Sequence, residues 1–110
     1  MKLIEKVFNN TQTNEKKIEK VIADDHVHYM HMVLPKGEGL PIHYSNANLY
    51  MTVVRGKLSI SLDDNEANKY EQGTVLNIPY NVKMVAKNFD DEILELIVVK
   101  TPAPGDYYSK

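Results

Sequence analysis

Apolar and polar side chains alternate along most of this chain. From His26 it reads His-Val-His-Tyr-Met-His-Met-Val-Leu, which puts His28, Met30, Met32 and Leu34 on one side of an extended segment and Val27, Tyr29, His31 and Val33 on the other. Both sides are apolar or amphipathic, as expected of a strand covered on two faces, in a sandwich or in a barrel that assembles with others. Pro35-Lys36-Gly37-Glu38-Gly39 then makes a loop, because its proline cannot donate to a ladder and its glycines tolerate positive φ. Residues 49–54 predict a second strand, stopped at Arg55-Gly56. Residues 57–62 have the clean alternation of a half-buried strand, and the turn formers Asp63-Asp64-Asn65-Glu66 close a hairpin onto residues 68–71. Further strands are expected at 75–78, 82–86 and 93–100. Turns recur about every eight to twelve residues, the spacing of an all-β sandwich or barrel.

The N-terminal third is ambiguous by the same test. Ile18, Val21 and Ile22 fall at helical spacing, yet residues 17–22 also read as a strand turning at Asp24-Asp25. Residues 1–25 are therefore N-terminal strands or a short helix, residues 26–100 the barrel core, and residues 101–110, entered through Thr101-Pro102-Ala103-Pro104-Gly105, a tail. No internal repeat or low-complexity tract interrupts this order.

Composition narrows the function classes. At 110 residues with 43% hydrophobic content, the chain suits one compact domain and excludes wholesale disorder. Thirteen Lys and Arg against fifteen Asp and Glu, with no basic block, leave no electrostatic footprint for nucleic acid. The absence of Cys removes disulfides, thiolate metal sites and cysteine nucleophiles. No apolar run is long enough to span a bilayer, and Met1-Lys2-Leu3 opens no secretory leader, so a cytoplasmic protein without a membrane partner is expected.

The glycine spacings carry more specific information. Gly37, His43, Ser45, Leu49 and Gly56 keep the intervals of the first cupin motif, Gly-x5-His-x-His-x3-Glu-x6-Gly, and Gly73, Pro79, Asn81, Met84 and Asn88 keep those of the second, Gly-x5-Pro-x-Gly-x2-His-x3-Asn. The chain thus resembles a small single-domain cupin over residues 37 to 88. That resemblance implies an all-β fold, a double-stranded β-helix or jelly-roll barrel. Asn81 stands where the motif has glycine, and asparagine is the residue that next best tolerates the left-handed conformation.

The four positions that hold a divalent ion in metal-binding cupins here read His43, Ser45, Leu49 and Met84. One imidazole cannot supply the three or so nitrogen and oxygen ligands that a catalytic metal needs. No cofactor is therefore expected. If a metal is held at all, His43 and His28 are its ligands, with Asn48 as an alternative donor; a soft His and Met set would suit Cu(I). The inward parity implied by the resemblance gathers Met30, Met32, Met51 and Met84 with Leu49 around the interior, and methionine commonly fills irregular apolar space that adapts to ligands. His28, Met30, Met32, His43, Ser45, Leu49, Met51 and Met84 are accordingly the candidate ligand-binding residues, against the alternative of an interior packed shut.

Three functions of the interior compete, beside a fourth, structural or interaction role carried by the sheet faces. The first is metal-independent binding of a small molecule in a Met-rich interior. The second is a metal-free isomerase, epimerase or lyase with His43 as general base and Tyr80 as a possible acid near the mouth. The third is an atypical metalloenzyme built on His43 with His28 or Asn48. His26 and His31 read as strand-surface histidines. Val27, Tyr29, Val33, Tyr50, Thr52, Val54, Ile97 and Val99 make an outward face more apolar than a monomer exposes, so a homodimer is expected. Residues 1–8 could add a strand to the partner's sheet, and Tyr107-Tyr108 could close over the barrel mouth or lie on a neighbouring subunit.

Overall fold

The computed structural model describes residues 2–108. Nine strands follow one another: β1 (Lys17–Ala23), β2 (His28–Leu34), β3 (His43–Tyr44), β4 (Leu49–Arg55), β5 (Lys57–Leu62), β6 (Asn68–Glu71), β7 (Val75–Ile78), β8 (Lys83–Lys87) and β9 (Leu94–Lys100). They form a five-stranded sheet in the order β1-β2-β9-β4-β7 and a four-stranded sheet in the order β3-β8-β5-β6, with every pairing antiparallel. This is the all-β double-stranded β-helix that the resemblance implies. Among the described residues the one helical turn is a 3-10 turn at Asp106–Tyr108.

The expected strands appear with small shifts. β2 begins at His28 because the Asp24 carboxylate accepts hydrogen bonds from the backbone N–H groups of His26 and Val27, at 2.8 and 2.9 Å, and holds those residues in a turn. Residues 17–23 form a strand and not a helix. The helical spacing of Ile18, Val21 and Ile22 reflects a bulge between Lys20 and Ile22: Ile18 lies opposite Met32, and the inserted residue moves Ile22 opposite Tyr29, onto the other face. Residue 1 and residues 109–110, parts of the expected arm and tail, lie outside the described residues.

Period-two alternation fills the space between the sheets. Met30, Met32 and Leu34 of β2, Leu49, Met51 and Val53 of β4, and Leu94, Leu96 and Val98 of β9 meet Leu58, Ile60, Met84 and Ala86 of the smaller sheet in one buried cluster. Two motif positions show why their residues are needed. Gly56 has φ 82°, and a Cβ there would lie 2.3 Å from the Ile93 carbonyl oxygen. Asn81 has φ 67°, so asparagine does take the left-handed conformation in glycine's place. Asn88, fully buried, donates to the carbonyls of Leu34 and Glu92 at 2.9 Å each and accepts from the Asp90 N–H, tying the loop after β8 to the end of β2.

The face of the larger sheet that points away from this core is less exposed than the sequence suggests. Residues 10–14 cross it, and His31 and Val33 are buried, at 1% and 0% exposure. Tyr50, Val54 and Val75 remain open on the β4–β7 side. Ahead of residue 10, Leu3, Ile4, Val7 and Phe8 are all exposed, Ile4 at 99%.

Candidate functional site

The inward side chains leave part of the interior empty. A cavity of about 240 Å³ is lined by Met30 and Met32 of β2, Leu49 and Met51 of β4, Met84 of β8, Val98 and Lys100 of β9, Ile18 of β1, and Leu40, Pro41 and His43 of the approach to β3. All four inward methionines expected at the interior therefore meet in one place. Unbranched thioether side chains with several rotatable bonds leave a deformable wall, suited to a ligand of irregular outline.

Two polar side chains stand among these apolar ones. His43 pairs through the backbone with Met84 across β3 and β8, and its Nδ1 lies 2.7 Å from the Pro41 carbonyl oxygen. A carbonyl only accepts, so Nδ1 carries a hydrogen, and the second ring nitrogen, Nε2, is left for a ligand. Lys100 occupies the last inward position of β9, opposite His28 on one side and Leu49 on the other. Its ammonium donates to the Asn46 side-chain oxygen at 2.9 Å. Burial, with a smaller push from Lys20, holds its pKa below the usual 10.5. The sequence reading missed Lys100, although the alternation Leu94, Leu96, Val98, Lys100 marks it as inward.

The other expected site residues are placed elsewhere. Ser45 is buried, donates to the Pro79 carbonyl at 2.6 Å and accepts from the Val82 N–H at 2.8 Å. Its hydroxyl is occupied in joining the β3–β4 loop to the β7–β8 turn, and Ser45 does not line the cavity. His28 faces a separate hollow, formed with Ala23, Asp24, Asp25 and residues 102–107. There its buried Nδ1 has no hydrogen-bond partner, and burial followed by Lys20 and Lys100 lowers its pKa. Asn48 accepts from the Asn77 amide at 3.0 Å and donates to the Thr101 carbonyl, while its N–H donates to the Tyr108 hydroxyl. Tyr80 stacks on Tyr108 with ring centroids 4.8 Å apart, and Tyr107 meets Tyr108 edge-on, so the tail folds against its own barrel. None of these three tyrosines lines the methionine cavity.

These positions also answer whether the residues suit the metal ion that the fold family commonly holds. Of the four motif positions, Leu49 offers no donor, the Ser45 hydroxyl is committed to the backbone, and Met84 adds only a thioether to the His43 imidazole. His28 faces the other hollow, and Asn48 is hydrogen-bonded outside the cavity. Among the described residues no group of three or more His, Asp or Glu is disposed to hold a metal ion. The residues do not fit that metal.

A second polar constellation lies on the outer face of the same sheet and was invisible to the sequence reading. The buried His31 ring bridges two carboxylates: Nδ1 lies 2.9 Å from Glu19 Oε2 and Nε2 lies 2.6 Å from Glu95 Oε2. Both ring nitrogens thus face carboxylate oxygens, one from β1 and one from β9. The hydrogen bond from His31, reinforced by the Thr11 backbone N–H at 2.9 Å, brings the Glu19 pKa from its ordinary 4.5 to about 2. Glu95 also meets Arg55, whose guanidinium donates to Asn14 at 3.1 Å. The cluster clamps residues 10–14 across the sheet. Because the imidazole nitrogens point at opposite carboxylates, the three groups do not converge on a common point, and the arrangement is a strap and not a metal site.

A sandwich of this topology, with its hollow between the sheets and its positive-φ residues at both motif spacings, defines a small double-stranded β-helix protein. The chain belongs to the cupin family, which it matches over residues 5–108. It is 39% identical over 103 residues to the uncharacterised protein MJ0764 of Methanocaldococcus jannaschii, covering 93% of this chain and 89% of that one. The crystal structure of MJ0764, described as an RmlC-like cupin family protein with a double-stranded β-helix fold, superposes with a TM-score of 0.90 at 38% identity, covering 94% of this chain and 95% of that one. A cupin superfamily protein of Desulfitobacterium hafniense shares the fold at a TM-score of 0.71 and 13% identity, over 84% of this chain and 83% of that one. Among the described residues no helix is long and apolar enough to cross a membrane.

Proposed function

We propose that this cupin binds a small molecule non-covalently in its methionine-lined interior, without a metal ion. The observation that carries this reading is the cavity of about 240 Å³ with an apolar wall and two polar side chains, His43 and Lys100. Mostly apolar lining with sparse polar groups that fix orientation is the common pattern of small-molecule sites. At about 30 Å³ per water-sized unit, the space takes a ligand body of about eight non-hydrogen atoms. A thermal-shift screen of small metabolites against the wild type and a Val98→Phe variant, which fills the cavity, tests it. Compounds that raise the wild-type Tm and leave the variant unmoved are expected; a screen without such a compound contradicts the reading.

Proton-transfer catalysis with His43 as base is the second reading, favoured by the Nδ1–Pro41 hydrogen bond that fixes one ring nitrogen and leaves Nε2 uncommitted at the cavity. It predicts turnover that is lost in His43→Ala while binding survives, and equal turnover in that variant removes it.

We further propose that the protein works as a homodimer, with a second copy covering the open apolar face. Tyr50, Val54 and Val75 on that face, and the exposed Leu3, Ile4, Val7 and Phe8 of an arm that packs against little of its own chain, are complementary in character. Light scattering at micromolar concentration is expected to give twice the 12.6 kDa chain mass. A monomer contradicts the proposal.

A further inference from the structure

One end of the methionine cavity carries positive charge that the protein itself leaves unbalanced. Lys100 lines the cavity, and Lys20 lies on the same inward side of β1, opposite Met30. Among the described residues neither Lys100, the lysine that lines the cavity, nor Lys20 has a carboxylate within 4.0 Å. Among the described residues the Lys100 ammonium donates to the neutral Asn46 amide alone, which occupies one of its three hydrogens.

A half-buried ammonium without a counter-ion is unfavourable, because burial weakens its hydration and nothing of opposite charge replaces it. The lowered Lys100 pKa is a symptom of that state. An anion seated beside Lys100 would relieve it, and the apolar wall behind requires that the anion carry an apolar body.

Resting on the reading of the cavity as a ligand site, we propose that its ligand is a small monocarboxylate whose carboxylate pairs with Lys100 and whose apolar body lies among Met30, Met32, Met51 and Met84. Size supports the choice of head group. With room for about eight non-hydrogen atoms, a carboxylate leaves space for a five- or six-carbon chain, whereas a phosphate monoester would consume most of it. The two ammonium hydrogens left by Asn46 match the two acceptor oxygens of a carboxylate. Lys20 strengthens the local field without touching the ligand, so its effect is the smaller one.

The test compares hexanoate with hexanamide, which has the same size and no charge, by isothermal titration calorimetry on the wild type, Lys100→Met and Lys100→Gln. Hexanoate is expected to bind the wild type about tenfold or more tightly than hexanamide, in keeping with a charge-assisted hydrogen bond. Both variants should lose that preference and keep their affinity for hexanamide, with Lys20→Met reducing the preference by about threefold. Equal affinity of the wild type for the two compounds, or a preference that survives in both Lys100 variants, overturns the carboxylate assignment and leaves the cavity reading intact. Failure of the wild type to bind either compound removes the cavity reading and the assignment with it.

Discussion

The two faces of the five-stranded sheet are made by the same strands and solve opposite problems. On the inner face, β2, β4 and β9 contribute Met30, Met32, Leu49, Met51, Leu96 and Val98, all without a polar side-chain atom able to make a strong hydrogen bond. On the outer face, one residue away along the same strands, His31 and Glu95 meet Glu19 in a hydrogen-bonded charged cluster beneath residues 10–14. The inner face is held by non-directional burial, which tolerates a hollow, and adapts to what enters it. The outer face is held by directional, charge-assisted bonds that fix one segment in one place. A strand can thus be pliable towards a ligand on one side because it is braced on the other.

Removing a packed inner side chain away from the cavity is the strongest way to break this division. Leu96 is fully buried in the central strand β9 and does not line the cavity, so Leu96→Ala is expected to cost about 3 kcal/mol in urea unfolding. The outer counterpart is His31→Ala, which leaves two carboxylates without the ring that both contact. Glu19 and Glu95 keep about a fifth of their side-chain surface in water, which places the loss below that of Leu96→Ala. The two variants should also differ in kind: His31→Ala frees residues 2–16 for proteolysis at low protease concentration, and Leu96→Ala does not.

Acid separates the faces with less force. Glu19 has its pKa depressed from 4.5 to about 2 in the folded protein, so its contribution to stability is fully present above 4.5 and disappears as the pH falls towards 2. Stability of the wild type is expected to fall through that window more steeply than that of Glu19→Gln, measured by urea unfolding at successive pH values. Parallel curves would show that the clamp does not depend on the Glu19 charge.

The inner face was legible in the sequence because it obeys period two over several strands, and a residue's parity there is enough to place it. Gly56 and Asn81 were legible for a different reason, since the positive φ that each adopts restricts which residue can stand there. The outer cluster was not. Parity correctly put His31 on the outward side, but whether that side meets water depends on residues 10–14, which carry no periodic signal. Ser45 failed similarly: its partners Pro79 and Val82 lie more than thirty residues away, across a loop contact that no local spacing reports. Lys100 shows the opposite error, a polar residue at an inward position whose parity was readable and whose lysine identity argued for the surface.

The central claim is that the methionine interior is open to a ligand and not packed shut. Methyl-13C-methionine NMR during a hexanoate titration addresses it directly, since Met30, Met32, Met51 and Met84 report from four points on one wall. The account predicts saturable shifts of these four methyl resonances in the wild type and their absence in Val98→Phe. Methyl resonances that stay in place up to millimolar hexanoate would contradict it.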